Sequence, residues 1–269
     1  MRLIAYPLRP KVMLRGLLAE PEGVSQKHLV VCVHGFERFT TAEKKFTVLS
    51  ETLVKQGHTV LRIDAEGCGI SDGTFETMTV AKQAQDLMNV INQLSTEEWS
   101  YSFVGHSLGA CVIAECLSQI SDLQRLRSLI LFGPALDQAA LRRYWFVISD
   151  MKQKDPACVV TWENHRAYLD EAAYQQDAAL PIHQLKTHRL GPAYFQEVKD
   201  RDYTSLLQRV PQERILIVHG DQDPAVPISS VHLASQRLVI SGGDHDLERP
   251  DWVEAWLPVV TRFVDQAVM

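Results

Sequence analysis

Apolar residues in this chain fall into two patterns: short unbroken runs, and longer stretches in which they recur every three or four positions. The runs are Leu29–Val33, Thr59–Ile63, Tyr101–Val104, Ser128–Phe132, Arg214–Val218 and Arg237–Ile240, rich in β-branched residues and mostly lacking apolar/polar alternation. Such runs suit strands covered on both faces, as in a parallel sheet. Between them the spacing turns helical. Val80, Ala84, Leu87, Met88, Ile91 and Leu94 mark one face of a helix over Thr77–Leu94, with Lys82, Gln85, Asp86, Asn89 and Gln93 opposite. Further helices are predicted over Ala42–Gln56, closed by Gly57, over Leu108–Ile120 and over Asp251–Ala267. Strands alternating with helices predict an α/β fold. The segment up to Ala19, before the turn Glu20-Pro21-Glu22-Gly23, reads as an extended meander.

The rhythm breaks between about Pro134 and Pro211, where no convincing strand pattern occurs but a helix is predicted over Ala139–Met151. A structureless loop of that length inside a domain is implausible. The segment 134–211 therefore reads as an inserted helical cap on a core made of 1–133 and 212–269. Its aromatics, Tyr144, Trp145, Phe146, Trp162, Tyr168, Tyr174, Tyr194 and Phe195, suit either a pocket lining or the seam that holds a cap in place.

With 269 residues, 46% of them hydrophobic, the chain is long enough to bury a large core without disulfides or metals. Lys and Arg number 27 against 33 Asp and Glu, and no basic stripe occurs, which argues against a nucleic-acid surface. No apolar leader and no membrane span is evident, so a cytoplasmic protein is expected. The five cysteines form no C-x-x-C pair and are expected to be reduced, with Cys32 and Cys111 acting as small core residues.

Chemistry enters at Gly105-His106-Ser107-Leu108-Gly109, a G-x-S-x-G pentapeptide. It follows a strand pattern and opens a helix pattern, the setting of a nucleophile elbow. The two glycines leave room where side chains would collide in so sharp a turn, and Ser107 is placed at a helix N-terminus that favours a developing negative charge. A serine hydroxyl needs a base, and that base needs an orienting acid. Of the histidines at strand ends, His34 and His219 begin tight His-Gly turns and His106 should point away from its neighbour Ser107; these three are expected to hold turns through ring hydrogen bonds. That leaves His245, in the loop Ser241-Gly242-Gly243-Asp244-His245. The acid lies in His219-Gly220-Asp221-Gln222-Asp223, where either Asp could reach a histidine. Backbone N–H groups of Leu108 and, if the turn after Val33 is tight, of Phe36 would form an oxyanion hole.

Taken together, these blocks resemble the α/β-hydrolase superfamily, and within it the cinnamoyl (feruloyl) esterase-like and monoacylglycerol-lipase-like hydrolases. The likeness is carried by His34-Gly35-Phe36, by Arg62-Ile63-Asp64 through Gly67-Cys68-Gly69-Ile70-Ser71-Asp72-Gly73, by Gly105–Gly109, by His219-Gly220 with Asp223 and Val226-Pro227, and by Gly243-Asp244-His245. The resemblance implies a mostly parallel eight-stranded sheet flanked by helices with an inserted helical cap. It assigns Ser107 as nucleophile, Asp223 rather than Asp221 as acid, His245 as base, and Phe36 and Leu108 as oxyanion donors. It implies hydrolysis of carboxylic esters, with thioesters, amides or peptides, or a non-catalytic ligand-binding module, as alternatives on the same fold. Two places depart from the cinnamoyl esterase pattern: Leu108 and Gly109-Ala110 follow the serine in place of Gln and Gly-Gly, and Asp246 follows His245.

No cofactor or metal is called for. Gly67-Cys68-Gly69 with Asp72-Gly73 reads as a turn, since no phosphate-loop motif accompanies it, and His183 and His188 with Asp177 fit no zinc spacing. The expected partner is a small-molecule ester or related acyl substrate.

Overall fold

Each unbroken apolar run forms a strand, and the N-terminal meander is an antiparallel hairpin of β1 (Arg2–Arg9) and β2 (Val12–Ala19). The computed structural model describes residues 1–95, 98–181, 183–185 and 188–266. Ala267, the expected end of the last helix, lies outside them. After the hairpin come β3 (His28–Val33), α1 (Lys44–Lys55), β4 (Thr59–Ile63), α2 (Val80–Leu94), β5 (Ser100–His106), α3 (Gly109–Ser118) and β6 (Leu126–Phe132). Then follow α4 (Gln138–Lys154), α5 (Glu171–Ala178), β7 (His183–Leu185), β8 (His188–Leu190), α6 (Pro192–Val198) and α7 (Tyr203–Leu207). The chain closes with β9 (Ile215–Gly220), β10 (Gln236–Ile240) and α8 (Pro250–Gln266).

Among the described residues, eight strands form one sheet in the order β1-β2-β4-β3-β5-β6-β9-β10. β2 runs antiparallel to β4, and every pair from β4 across to β10 is parallel. The inner strands β3, β4 and β9 are buried along their whole length, which is why their residues do not alternate. Edge strand β1 does alternate between exposed and half-buried positions, and it tolerates Pro7, which has no N–H to give a neighbour.

Alternate strand residues feed two apolar layers, as a period of two requires. Leu29, Val31 and Val33 face the layer packed by α2 and α3, while Val30 and Cys32 face the one packed by α1 and α8 around Trp256. Helix ends follow local chemistry. The Thr79 side chain caps α2 by accepting the Lys82 N–H at 3.2 Å, and Gly57 follows α1 at φ +92°.

Between β6 and β9 the structure has more than the one helix the pattern predicts. β7 and β8 pair as a short antiparallel hairpin where no strand was expected, each only three residues long and too short to leave a periodic signal. Tyr194 and Val198 of α6 and Tyr203 and Leu207 of α7 are buried in the α2/α3 layer. The side chains of His183 and His188 lie outside what is described.

The chain leaves β3 toward β4 on one side, then crosses to β5 on the other. The carboxyl ends of β3 and β5 therefore flank a switch point, where open α/β sheets form their crevices.

Candidate active site

β5 ends at His106 and α3 begins at Gly109, so Ser107 sits in a two-residue turn with φ +54°. A non-glycine residue is seldom held in this left-handed region. Hydrogen bonds fix it there: Ser107 N–H donates to Phe132 O at 2.9 Å, and Ser107 O accepts the N–H groups of Ala110 and Ala135, both at 3.1 Å. A Cβ on Gly109 would stand 2.4 Å from Val33 O and 2.9 Å from His34 O, so only glycine lets α3 approach the end of β3 this closely. A Cβ on Gly105 would meet Gly109 C at 3.2 Å, the collision expected across the elbow.

His245 lies in the loop after β10, and its Nδ1–H donates to Asp223 Oδ2 at 2.7 Å. Asp223 is 8% exposed. Burial opposes its charge, but hydrogen bonds from His219 and His245 outweigh that and hold the carboxyl well below the usual carboxylate range. Its other oxygen accepts the N–H groups of Ala225 and Val226 at 2.8 and 2.9 Å. Asp221 is separated from it in place and use: exposed, it accepts Gly242 N–H at 2.7 Å and braces the turn of the His245 loop. Sequence reasoning overlooked Gly133. It follows β6 at φ +46°, and a Cβ there would stand 3.1 Å from both Asp223 Oδ2 and His245 Nδ1. A strand-end glycine before Pro134 was the available signal.

Phe36 lies in the turn after β3, and a Cβ on Gly35 would come 3.0 Å from Ser107 Cβ, so this turn packs directly against the elbow. Among the described residues, neither the Phe36 nor the Leu108 amide donates to a protein acceptor. Ser107, His245, Phe36 and Leu108 line one cleft.

The family model described as "Serine aminopeptidase, S33" (Hydrolase_4) matches residues 24–245, which include all of these elements. The chain belongs to this α/β-hydrolase family. Two curated relatives are similar in sequence, both named mitochondrial palmitoyl-protein thioesterase ABHD10. The one from Bos taurus is 24% identical over 202 residues, 74% of this chain and 58% of that protein. The one from Homo sapiens is 21% identical over 217 residues, 80% of this chain and 63% of that protein. The aligned region thus spans about three fifths of each relative. Among solved structures, Est1E of Butyrivibrio proteoclasticus with ferulic acid bound superposes with a TM-score of 0.68 at 20% identity, covering 98% of this chain and 96% of that one. Mouse alpha/beta hydrolase domain-containing protein 10 gives a TM-score of 0.63 at 16% identity, covering 99% of both chains. A monoacylglycerol lipase of Paleococcus ferrophilus gives 0.61 at 18% identity, covering 94% of this chain and 99% of that one.

Two of the three other strand-end histidines hold turns, as expected. His34 Nε2 accepts Ala65 N–H at 3.0 Å, and His219 Nε2–H donates to Val226 O at 2.9 Å, which fixes the loop bearing Asp223. His106 does something less visible in the sequence. Fully buried, it donates Nε2–H to the carbonyl oxygen of His245 at 3.0 Å, and its ring centroid lies 4.6 Å from that of His245. Behind it, Lys45 Nζ stands 2.8 Å from Glu43 Oε2 and 3.4 Å from His106 Nδ1. Burial and the Lys45 charge push the His106 pKa down to about 4. Burial alone would raise Glu43, but its contacts with His106 and Lys45 hold it well below the usual range. Lys45 is 1% exposed. Its spacing from Leu49 and Leu53 puts it on the inward face of α1, and a charge at an apolar-face position was the signal to notice.

The cleft has a volume of about 770 Å³, within the usual range for small-molecule sites. Trp145, Phe146, Tyr174 and Phe195 line it, whereas Tyr144 packs edge-on against Trp162, so the aromatics of this segment divide between lining and seam. Trp145 Nε1–H donates to Ala225 O at 3.1 Å, tying α4 to the loop that carries Asp223. Arg38 donates to both oxygens of Asp246, at 2.7 and 2.5 Å, joining the turn that carries Phe36 to the loop that carries His245. Among the described residues no helix is long and apolar enough to cross a membrane.

Proposed function

We propose that the protein is a serine hydrolase of carboxylic esters acting through an acyl-enzyme. One observation carries the reading: the 2.7 Å bond from His245 to Asp223, in the cleft that also holds Ser107 at positive φ. Ser107 Oγ attacks the ester carbonyl while His245 takes its proton, and Asp223 fixes the imidazole tautomer and stabilises the imidazolium. The Phe36 and Leu108 amides receive the charge that develops on the carbonyl oxygen. The imidazolium then protonates the leaving alkoxide, and water deprotonated by His245 releases the acid. Within residues 134–211, the part that lines the cleft acts as a helical cap and sets acyl and leaving-group preference, while Tyr203 and Leu207 pack in the core layer. A cytoplasmic location belongs to this reading, supported by Cys32, Cys68, Cys111, Cys116 and Cys158 being free thiols.

A thioesterase reading has an observation of its own, the two relatives named palmitoyl-protein thioesterase. The same groups would serve it. Steady-state kinetics on p-nitrophenyl esters and matched acyl thioesters separate the two by the ratio of kcat/KM. In either case Ser107→Ala is expected to lower kcat by more than about a thousandfold. Activity near wild type in that variant would refute the assignment.

A further inference from the structure

Arg142 lies one turn into α4 and lines the same cleft as Ser107 and His245. Its guanidinium carbon stands 5.2 Å from the centre of the Phe36 ring and 6.0 Å from that of Tyr194. Aromatic neighbours satisfy the flat faces of a guanidinium and leave its N–H edge to be paired. Among the described residues that edge is not paired by protein: Nε is buried without an acceptor, and no carboxylate lies within ion-pair distance of Arg142. The next residue provides a contrast. Arg143 makes a two-pronged bond to Glu171, at 2.8 and 2.7 Å. The other cleft-lining arginine, Arg38, is committed to Asp246. The acidic side chains on the cleft wall are engaged as well, Asp150 with Lys154 at 2.7 Å, and Glu37 and Asp177 with partners of their own.

The position of this cation bears on what it can recognise. α4 begins at Gln138, whose Nε2 donates to Ala135 O at 2.6 Å, and Ala135 N–H in turn donates to Ser107 O. Arg142 is four residues further along the same helix, and its guanidinium stands over the ring of Phe36, beside the turn whose amide would receive the oxyanion. A planar five-donor fork lying against aromatic rings matches a planar carboxylate, which can take two parallel N–H bonds. A purely hydrocarbon substrate would cover the same fork without supplying an acceptor.

We propose that Arg142 is a carboxylate subsite, and that the preferred substrates carry a free carboxylate in addition to the scissile carbonyl. This rests on the ester-hydrolase reading for its substrates but not for its binding. The carboxylate could sit on either side of the bond that breaks, and two pairs of substrates separate these cases. On the acyl side, p-nitrophenyl hydrogen adipate is compared with its neutral methyl ester; on the leaving-group side, 4-carboxyphenyl acetate is compared with 4-carbamoylphenyl acetate. In one pair the charged member is expected to have a kcat/KM at least about tenfold higher, with Arg142→Gln bringing the ratio to about one and Arg142→Lys leaving an intermediate ratio. Calorimetric titration of adipate and 4-hydroxybenzoate into wild type and Arg142→Gln reads the subsite without catalysis, and at least one should bind about tenfold more weakly to the variant. Charge-blind kinetics in both pairs together with equal binding to wild type and variant would overturn the proposal. Turnover that survives Ser107→Ala would instead overturn the ester-hydrolase reading, and the titration would still decide the subsite.

Discussion

Replacing Lys45 by Met tests whether the buried charges behind His245 are held as a unit. In the native protein the Lys45 side chain is 1% exposed, and its ammonium stands 2.8 Å from Glu43 and 3.7 Å from Glu248. Met keeps the volume and removes the charge, leaving the Glu43 carboxylate, itself 6% exposed, without its cation. Breaking a buried ion pair on one side costs about 3–5 kcal/mol, since the remaining charge has lost its water and its partner. His106 remains 3.2 Å from the same Glu43 oxygen and can take up a proton, so the lower end, about 3 kcal/mol, is expected. The Lys45→Met/Glu43→Gln double variant buries no charge there and should recover more than half of the loss. Urea unfolding at pH 7.5, read as the midpoint at unchanged slope, measures both. The sign with pH is also set. Glu43 has a depressed pKa in the native fold, so its contribution is present at neutral pH and is lost only as pH falls through that low value. Without Lys45 the carboxyl protonates at higher pH, and the gap between variant and wild type should narrow by pH 5. A single-variant loss below about 1 kcal/mol, or a double variant no more stable than the single, would refute this reasoning.

Two other outcomes follow from local geometry and charge. Gly109→Ala forces a Cβ to 2.4 Å from Val33 O, a backbone atom that cannot swing aside, and should cost at least about 2 kcal/mol in the same unfolding assay, against near zero if the elbow relaxes freely. His28, buried against His58 and Ser102, has its pKa pushed down to about 3 by burial and by His58. Its unfolded form binds a proton at higher pH than its folded form, so stability should rise with pH between about 3 and 6.5. His28→Gln should flatten that slope, and an unchanged slope would contradict the assignment.

The parallel part of the sheet was legible because full burial on both faces leaves unbroken apolar runs, as in Val30, Val31 and Cys32. The elbow was legible because Gly105, Ser107 and Gly109 combine a rare spacing with a strand before and a helix after. Other features left weaker traces. Asp223 and Asp221 are two residues apart on one loop, and only the fold shows that the first turns in to His245 while the second braces Gly242. Lys45 carries a charge that ordinarily marks a solvated face, and its burial depends on Glu43 at the start of the same helix and on His106 at the end of β5. Gly133 is informative only once the Asp223–His245 pair is seen beside it. Arg142 differs from Arg143 solely in what surrounds it.

Mass-mapped labelling by a fluorophosphonate, with heat-denatured protein as control, tests most directly whether Ser107 is an activated nucleophile. The account predicts stoichiometric modification of the folded protein at Ser107, abolished by denaturation and by Ser107→Ala. Modification at another residue, or none on folded protein that turns over esters, would contradict it.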